Sequence, residues 1–153
     1  MHTNIRSCIL IEALIRFHHN FHMLSLSNEK KLLQIVIVFA CLIPLSAGLT
    51  GILRGAALFG GGNIDMDSHF RYLSGLLLGI GLGFLSAVPR IETQTLRIRL
   101  LTIIVVIGGI GRLVGLFLGG IPSYAMLAAL IMELAVTPLI CLWQHSLARR
   151  FTA

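Results

Sequence analysis

Long apolar runs separated by short polar breaks dominate the chain. They cover residues 32–53, 70–88, 98–119 and 122–143. Each is about 20 residues long, and a helix of that length rises about 30 Å, the thickness of a bilayer's hydrocarbon core. Strands of a membrane barrel would be shorter and would alternate polar with apolar positions. No run alternates in that way. The pattern predicts an all-α fold, an integral membrane four-helix bundle.

The breaks between the runs differ in chemistry. Residues 60–68 form a polar, glycine-rich loop, and residues 89–97 form a basic one. Gly119-Gly120-Ile121-Pro122 is a tight turn, and Pro122 suits the first turn of the fourth helix, where a missing N–H costs nothing. Asp67 or Ser68 is the expected N-cap of the second helix.

Composition excludes a soluble domain. Of 153 residues, 56% are apolar and 12% charged, against about 25% charged in soluble proteins. The mean hydropathy is +0.92. The net charge of +6 would raise the question of nucleic acid in a soluble chain. Here the basic residues flank apolar runs, so they speak for orientation and for contact with anionic lipid. The expected partner is the bilayer, and no nucleic acid is expected. Cys8, Cys41 and Cys141 form no CxxC pair and indicate neither a disulfide framework nor a metal site.

Charge also predicts the topology. Nine of the twelve basic residues fall in the segment before the first run, in the 89–97 connection with its helix entry, or in the tail. The opposite side has Arg54 and Arg71 at helix ends, together with Asp65 and Asp67. By the positive-inside rule both termini are cytoplasmic, which in a bacterium means the inner membrane. Residues 1–31 read as a cytoplasmic lead. Within it, Cys8 to Phe17, with Glu12 and Arg16 at i, i+4, suits a short amphipathic helix, and Met23 offers an alternative start. Residues 144–153 read as a basic cytoplasmic tail.

Helices in lipid gain little from hydrophobicity when they associate, so small residues that admit close backbone approach mark their contacts. Gly75, Gly79 and Gly83 recur every four residues in the second helix, and Gly111, Gly115 and Gly119 do so in the third. The first helix carries Ala47, Gly51 and Gly55, and the fourth Ala125 and Ala129, with Glu133 next in the row. These rows are expected to be packing faces, inside one chain or between copies in a homo-oligomer. Pro44 and Pro138 free the carbonyls of Ala40 and Leu134, and kinks are expected there.

Candidate chemistry is sparse. Arg112 and Glu133 lie deep inside apolar runs, where an unpaired charge is costly, so they should face the bundle and pair. Arg112 stands seven residues before Gly119, about 10 Å along the axis, and Glu133 eleven after Pro122, about 16 Å. The two helices are an antiparallel hairpin, so the depths are compatible with contact. Arg71, near His69 and Tyr72, is a further ligand or ion-pair candidate; with Arg54 it could cradle an anion or snorkel to headgroup phosphate. The Asn63-x-Asp65-x-Asp67-x-His69 spacing resembles the start of a calcium loop but lacks its glycine and closing glutamate. His18-His19 and His22 have helical spacing without a carboxylate partner. No metal and no cofactor is expected. No P-loop or hydrolase arrangement is present, and no catalytic residue is assigned.

An arginine opening a glycine-rich second helix (Phe70-Arg71-Tyr72-Leu73-Ser74-Gly75 through Gly79), then Gly111-Arg112-Leu113-Val114-Gly115, Pro122 and Glu133, resembles the bacterial domain of unknown function 4345 family. The resemblance covers roughly residues 32–143. It implies a small four-helix membrane protein, with Arg71, Arg112 and Glu133 on the family's polar positions, and it carries no activity. The lead and the glycine-asparagine loop depart from the family pattern. A more general likeness is to small membrane proteins of the DoxX type. Three functions follow. One is a non-enzymatic membrane protein whose Arg112–Glu133 pair is structural or binds a small ligand. The second is a proton-coupled small transporter titrating Glu133. The third is a membrane subunit of a quinone-linked redox complex.

Overall fold

A computed structural model describes residues 3–152, with side chains from Ser25 to Thr152 apart from Phe59. The readings of Cys8, Glu12, Arg16, His18, His19 and His22 fall outside the described side chains. The described residues are mostly helical and include no strand. Helix α1 spans Thr3–Arg54 and is followed by a 3-10 turn, Gly55–Phe59. Helix α2 spans Ile64–Ala87, a 3-10 connection covers Val88–Thr93, and α3 spans Thr95–Gly119. Helix α4 spans Tyr124–Thr152 and contains one π turn, Met132–Val136. Four helices are therefore long and apolar enough to cross a membrane.

Two helix starts correct the sequence reading. Helix α2 begins at Ile64, because the Asn63 side chain accepts from the Met66 N–H at 2.8 Å. Asn63 is thus the N-cap, not Asp67 or Ser68, and it turns half of the expected loop into helix. Asp65 and Asp67 then sit in the first turn, where the helix dipole favours negative charge. The metal-like spacing of residues 63–69 is therefore wound onto a helix, where alternate side chains point to different sides. Helix α4 begins at Tyr124 after Ser123, so Pro122 precedes the helix instead of opening it.

Helices α1 and α2 form the most extensively packed pair. The buried apolar core lies at the end that holds the 88–93 connection and the C-terminal turns of α4. It is built from Leu26, Leu33, Ile37 and Cys41 of α1, Phe84 and Ala87 of α2, Ile91, Ile98, and Ile140 and Leu147 of α4. Away from that core the helices present large apolar side chains outward, Phe39 at 67% and Leu118 at 84% exposure. So much outward apolar surface on every helix is what a lipid-immersed bundle needs and what a soluble monomer avoids.

The glycines that admit close approach within the chain match the predicted row of α1 at Gly51 and Gly55, but only in part the rows of α2 and α3. A Cβ on Gly48 would lie 2.7 Å from the Leu78 backbone nitrogen, and one on Gly51 would overlap Ser74 Oγ. Gly81 lies against Leu45, Gly83 against Leu101, and Gly109 against Leu134 and Glu133. By contrast, nothing lies within 4 Å of a Cβ built on Gly75, Gly79, Gly111, Gly115 or Gly119. Of the six glycines expected on packing faces, Gly83 is in contact within the chain. The reason is angular: Ser74, Leu78 and Gly81 form the contact stripe of α2, and Gly75 and Gly79 are turned about 100° away from it.

Candidate functional site

Helices α3 and α4 bring Arg112 and Glu133 together, in keeping with their depths. Arg112 Nε donates to Glu133 Oε1 at 3.0 Å. The approach depends on two local features. Gly109, one turn before Arg112, leaves room for the Cβ of Glu133, which would stand 3.0 Å from a side chain there. The second feature is the π turn on which Glu133 sits. Pro138 has no N–H to give the Leu134 carbonyl, and the ladder shifts: the Thr137 N–H and the Thr137 hydroxyl both donate to the Met132 carbonyl, the latter at 2.8 Å. At the proline the helix accommodates the missing bond with one wide turn.

The pair is incompletely satisfied. Glu133 Oε2 is buried and has no hydrogen-bond partner among the described residues. Arg112 Nη1 donates to Met126 Sδ at 3.0 Å, and a thioether is a weak acceptor for a guanidinium. Arg112 lines a cavity of about 350 Å³ between α3 and α4. Leu116, Ile121, Pro122, Met126 and Leu130 supply apolar walls, and Gly115 and Gly119 leave one wall flat. A Cβ at either glycine would meet nothing within 4 Å, so the cavity is open along that side.

Arg71 is placed differently. Its Nε donates to Asp67 Oδ2 at 2.7 Å, and its Nη1 donates to the Ile52 carbonyl and, at 3.3 Å, to that of Leu53. Asp67 Oδ1 accepts from the Ala56 N–H at 2.7 Å. Together they close the C-terminal end of α1, whose last carbonyls have no helical donors of their own. Gly55, at φ +60°, makes the turn there, and its missing Cβ is what lets Asp67 approach. Arg71 is thus committed to α1. Arg54 ends α1 and is exposed. Neither arginine contacts Arg112 among the described residues.

A third group, at the core end, carries no motif in the sequence. Gln34 Nε2 donates to the Val88 carbonyl at 2.8 Å. The fully buried Gln144 donates to the Ile91 carbonyl at 2.7 Å and to Thr95 Oγ1 at 3.0 Å. Glu29 accepts from Trp143 Nε1 at 3.0 Å and pairs with Arg150, and Lys30 pairs with Glu92 at 2.8 Å. These contacts tie the 88–93 connection and the end of α4 to α1. The signal that could have found them is two glutamines at the edges of apolar runs, each a buried-polar problem needing a partner.

The arrangement defines a class: an all-helical protein with four helices apolar enough to span a membrane, carrying one ion pair inside the apolar region. Within that class, the family model described as Domain of unknown function (DUF4345) matches residues 32–144, and the chain belongs to that family. No curated protein and no solved structure matches the chain.

Proposed function

We propose that this chain is a non-enzymatic, multi-pass protein of the bacterial inner membrane, with both termini cytoplasmic, that binds a small ligand between α3 and α4. The observation that carries the site is the cavity of about 350 Å³ with the Arg112 guanidinium as its polar wall. That volume lies at the low end of ordinary ligand pockets, and an apolar lining with one well-placed polar group is their usual chemistry. The orientation rests on the distribution of basic residues: a reporter fused after Asn63 is expected outside the cytoplasm and one after Thr93 inside it.

The site is tested with Gly115→Leu, which places a side chain in the cavity where nothing stands within 4 Å. Wild-type protein purified in mild detergent is expected to retain a small molecule, identified by mass spectrometry of its extract, that the variant loses. Identical extracts would remove the ligand-site reading. A second reading has Glu133 as the titrating carboxylate of a proton-coupled transporter. The unpartnered Oε2 favours it. It predicts that Glu133→Gln folds normally and abolishes ligand-driven proton flux in vesicles.

A further inference from the structure

From the unequal use of the two edges of the Arg112 guanidinium, we infer that the α3–α4 cavity takes a single-chain anionic amphiphile, and that binding transfers one proton to Glu133. The inference rests on the ligand-site reading above and names the ligand's class.

A guanidinium offers five N–H donors in a planar fork that suits two oxygens of one anion. Arg112 gives Nε to Glu133 Oε1 at 3.0 Å. Among the described residues its other edge meets only the Met126 sulfur, at 3.0 Å, and Met126 is itself a cavity wall. An anionic head entering the cavity exchanges a weak acceptor for a strong one. The rest of the cavity fits the chain of such a molecule: Leu116, Ile121, Pro122 and Leu130 are apolar, and Gly115 and Gly119 leave a flat strip beside them. Its volume of about 350 Å³ corresponds to about ten water-sized groups.

Neutrality in an apolar surrounding then calls for a proton. With Glu133 ionised, Arg112–Glu133 is neutral, and an incoming anion leaves one uncompensated negative charge in an apolar region. Arginine cannot lose its proton there, whereas a carboxylate readily gains one. Glu133 is placed to accept it, since Oε2 is buried without a donor. In the bound state Glu133 is the neutral acid, Arg112 is paired with the ligand, and the site is neutral again. The π turn carrying Glu133 packs on α3 and on the two halves of α4. Arg112 is the one charged group those elements bring to Glu133 among the described residues. Tyr124 and Cys141 stand at least two turns away along α4, and His145, Arg149 and Arg150 more than three; on α3, Arg97 and Arg99 stand more than two turns from Gly109, on which Glu133 packs.

The test uses the full chain in zwitterionic nanodiscs and decanesulfonate, an anion whose charge does not vary with pH. Binding is expected to be saturable and to weaken about tenfold per pH unit wherever free Glu133 is ionised, the slope for one proton taken up per ligand. Glu133→Gln is expected to bind at least tenfold more tightly at pH 8 and to show no pH dependence between 6 and 9. Arg112→Met and Gly115→Leu are each expected to lose at least tenfold. Neither decanol, which lacks the charge, nor inorganic sulfate, which lacks the chain, should compete. If sulfate alone competes, the ligand is a soluble anion and the amphiphile is wrong. If decanol binds as well as the sulfonate and Gly115→Leu blocks both, the site stands but the anion and its proton do not. Should Gly115→Leu bind all probes like wild type, the cavity is not the site, and the ligand-site reading falls with this one. A wild-type affinity independent of pH would by itself overturn the proton exchange.

Discussion

The two hairpins of this protein use the same residue types to opposite ends. In the α1–α2 hairpin, Gly48 and Gly51 let the backbones touch, and the arginine–carboxylate pair, Arg71–Asp67, is satisfied through α1 carbonyls and the Ala56 N–H. In the α3–α4 hairpin, among the described residues, nothing lies within 4 Å of a Cβ on Gly115 or Gly119, and Arg112–Glu133 leaves a carboxylate oxygen without a donor. A glycine that meets a neighbour makes a joint, and one that meets nothing makes space. An ion pair whose two carboxylate oxygens are both satisfied holds a fold, while one with an oxygen to spare can still bind something.

The sharpest test of that contrast is steric. Gly51→Leu would force a side chain into Ser74, whose Oγ already overlaps the Cβ position. It is expected to cost about 3 kcal/mol or more, the upper end for overpacking, read as thermal unfolding in detergent. Gly115→Leu, the same change in the other hairpin, should leave the unfolding temperature of ligand-free protein nearly unchanged. Equal losses would erase the distinction between the two glycine rows.

Next in size is the Arg112–Glu133 pair. Glu133→Ala leaves a guanidinium without its counter-ion, and breaking a buried pair costs about 3–5 kcal/mol. The Arg112 side chain is 38% exposed, so a loss of about 3 kcal/mol is expected, at the low end of that range. Arg112→Ala is expected to cost less, because Glu133 can become neutral by taking a proton. Replacing both with apolar residues of similar size should recover much of the loss. A double variant that loses the sum of the single losses would mean that the two residues do not interact.

The Arg71–Asp67 closure should matter less, since it lies at the edge of the bundle. Asp67→Ala is expected to lower the unfolding temperature, and Asp67→Asn to lower it by a smaller amount. Asparagine keeps an acceptor for the Ala56 N–H while giving up the charge toward Arg71. Equal effects of the two variants would place the contribution in the ion pair and not in the backbone contact. The smallest effect expected has the opposite sign. Gly115→Ala should stabilise α3 by about 0.5–1 kcal/mol, because alanine costs less backbone entropy in a helix. Gly51→Ala should destabilise, because even a single methyl meets Ser74.

The Arg112–Glu133 contact is legible in the amino-acid sequence. Two charges at compatible depths in one antiparallel hairpin have few other ways to avoid isolation in lipid. The start of α2 is also readable in principle, since Asn63 has the right chemistry for a cap, but the run of polar residues after it reads equally as loop. The glycine rows illustrate the limit. A four-residue spacing puts side chains on one face of a helix, yet does not tell which face meets a neighbour. In α2 the contact stripe is Ser74, Leu78 and Gly81, and the glycine row beside it is open.

What the sequence by itself determined is what depends on one segment at a time. Hydropathy and length set four helices able to span a membrane, because backbone groups in lipid must be satisfied within the segment. What only the tertiary structure decided depends on the rotation of one helix against another. That rotation commits Arg71 to the end of α1, places Gln144 on the carbonyl of Ile91, and opens the cavity beside Arg112. A turn of about 100° separates adjacent residues on a helix, so the angle that divides a packed glycine from an open one is a single residue wide. No one-segment pattern carries it.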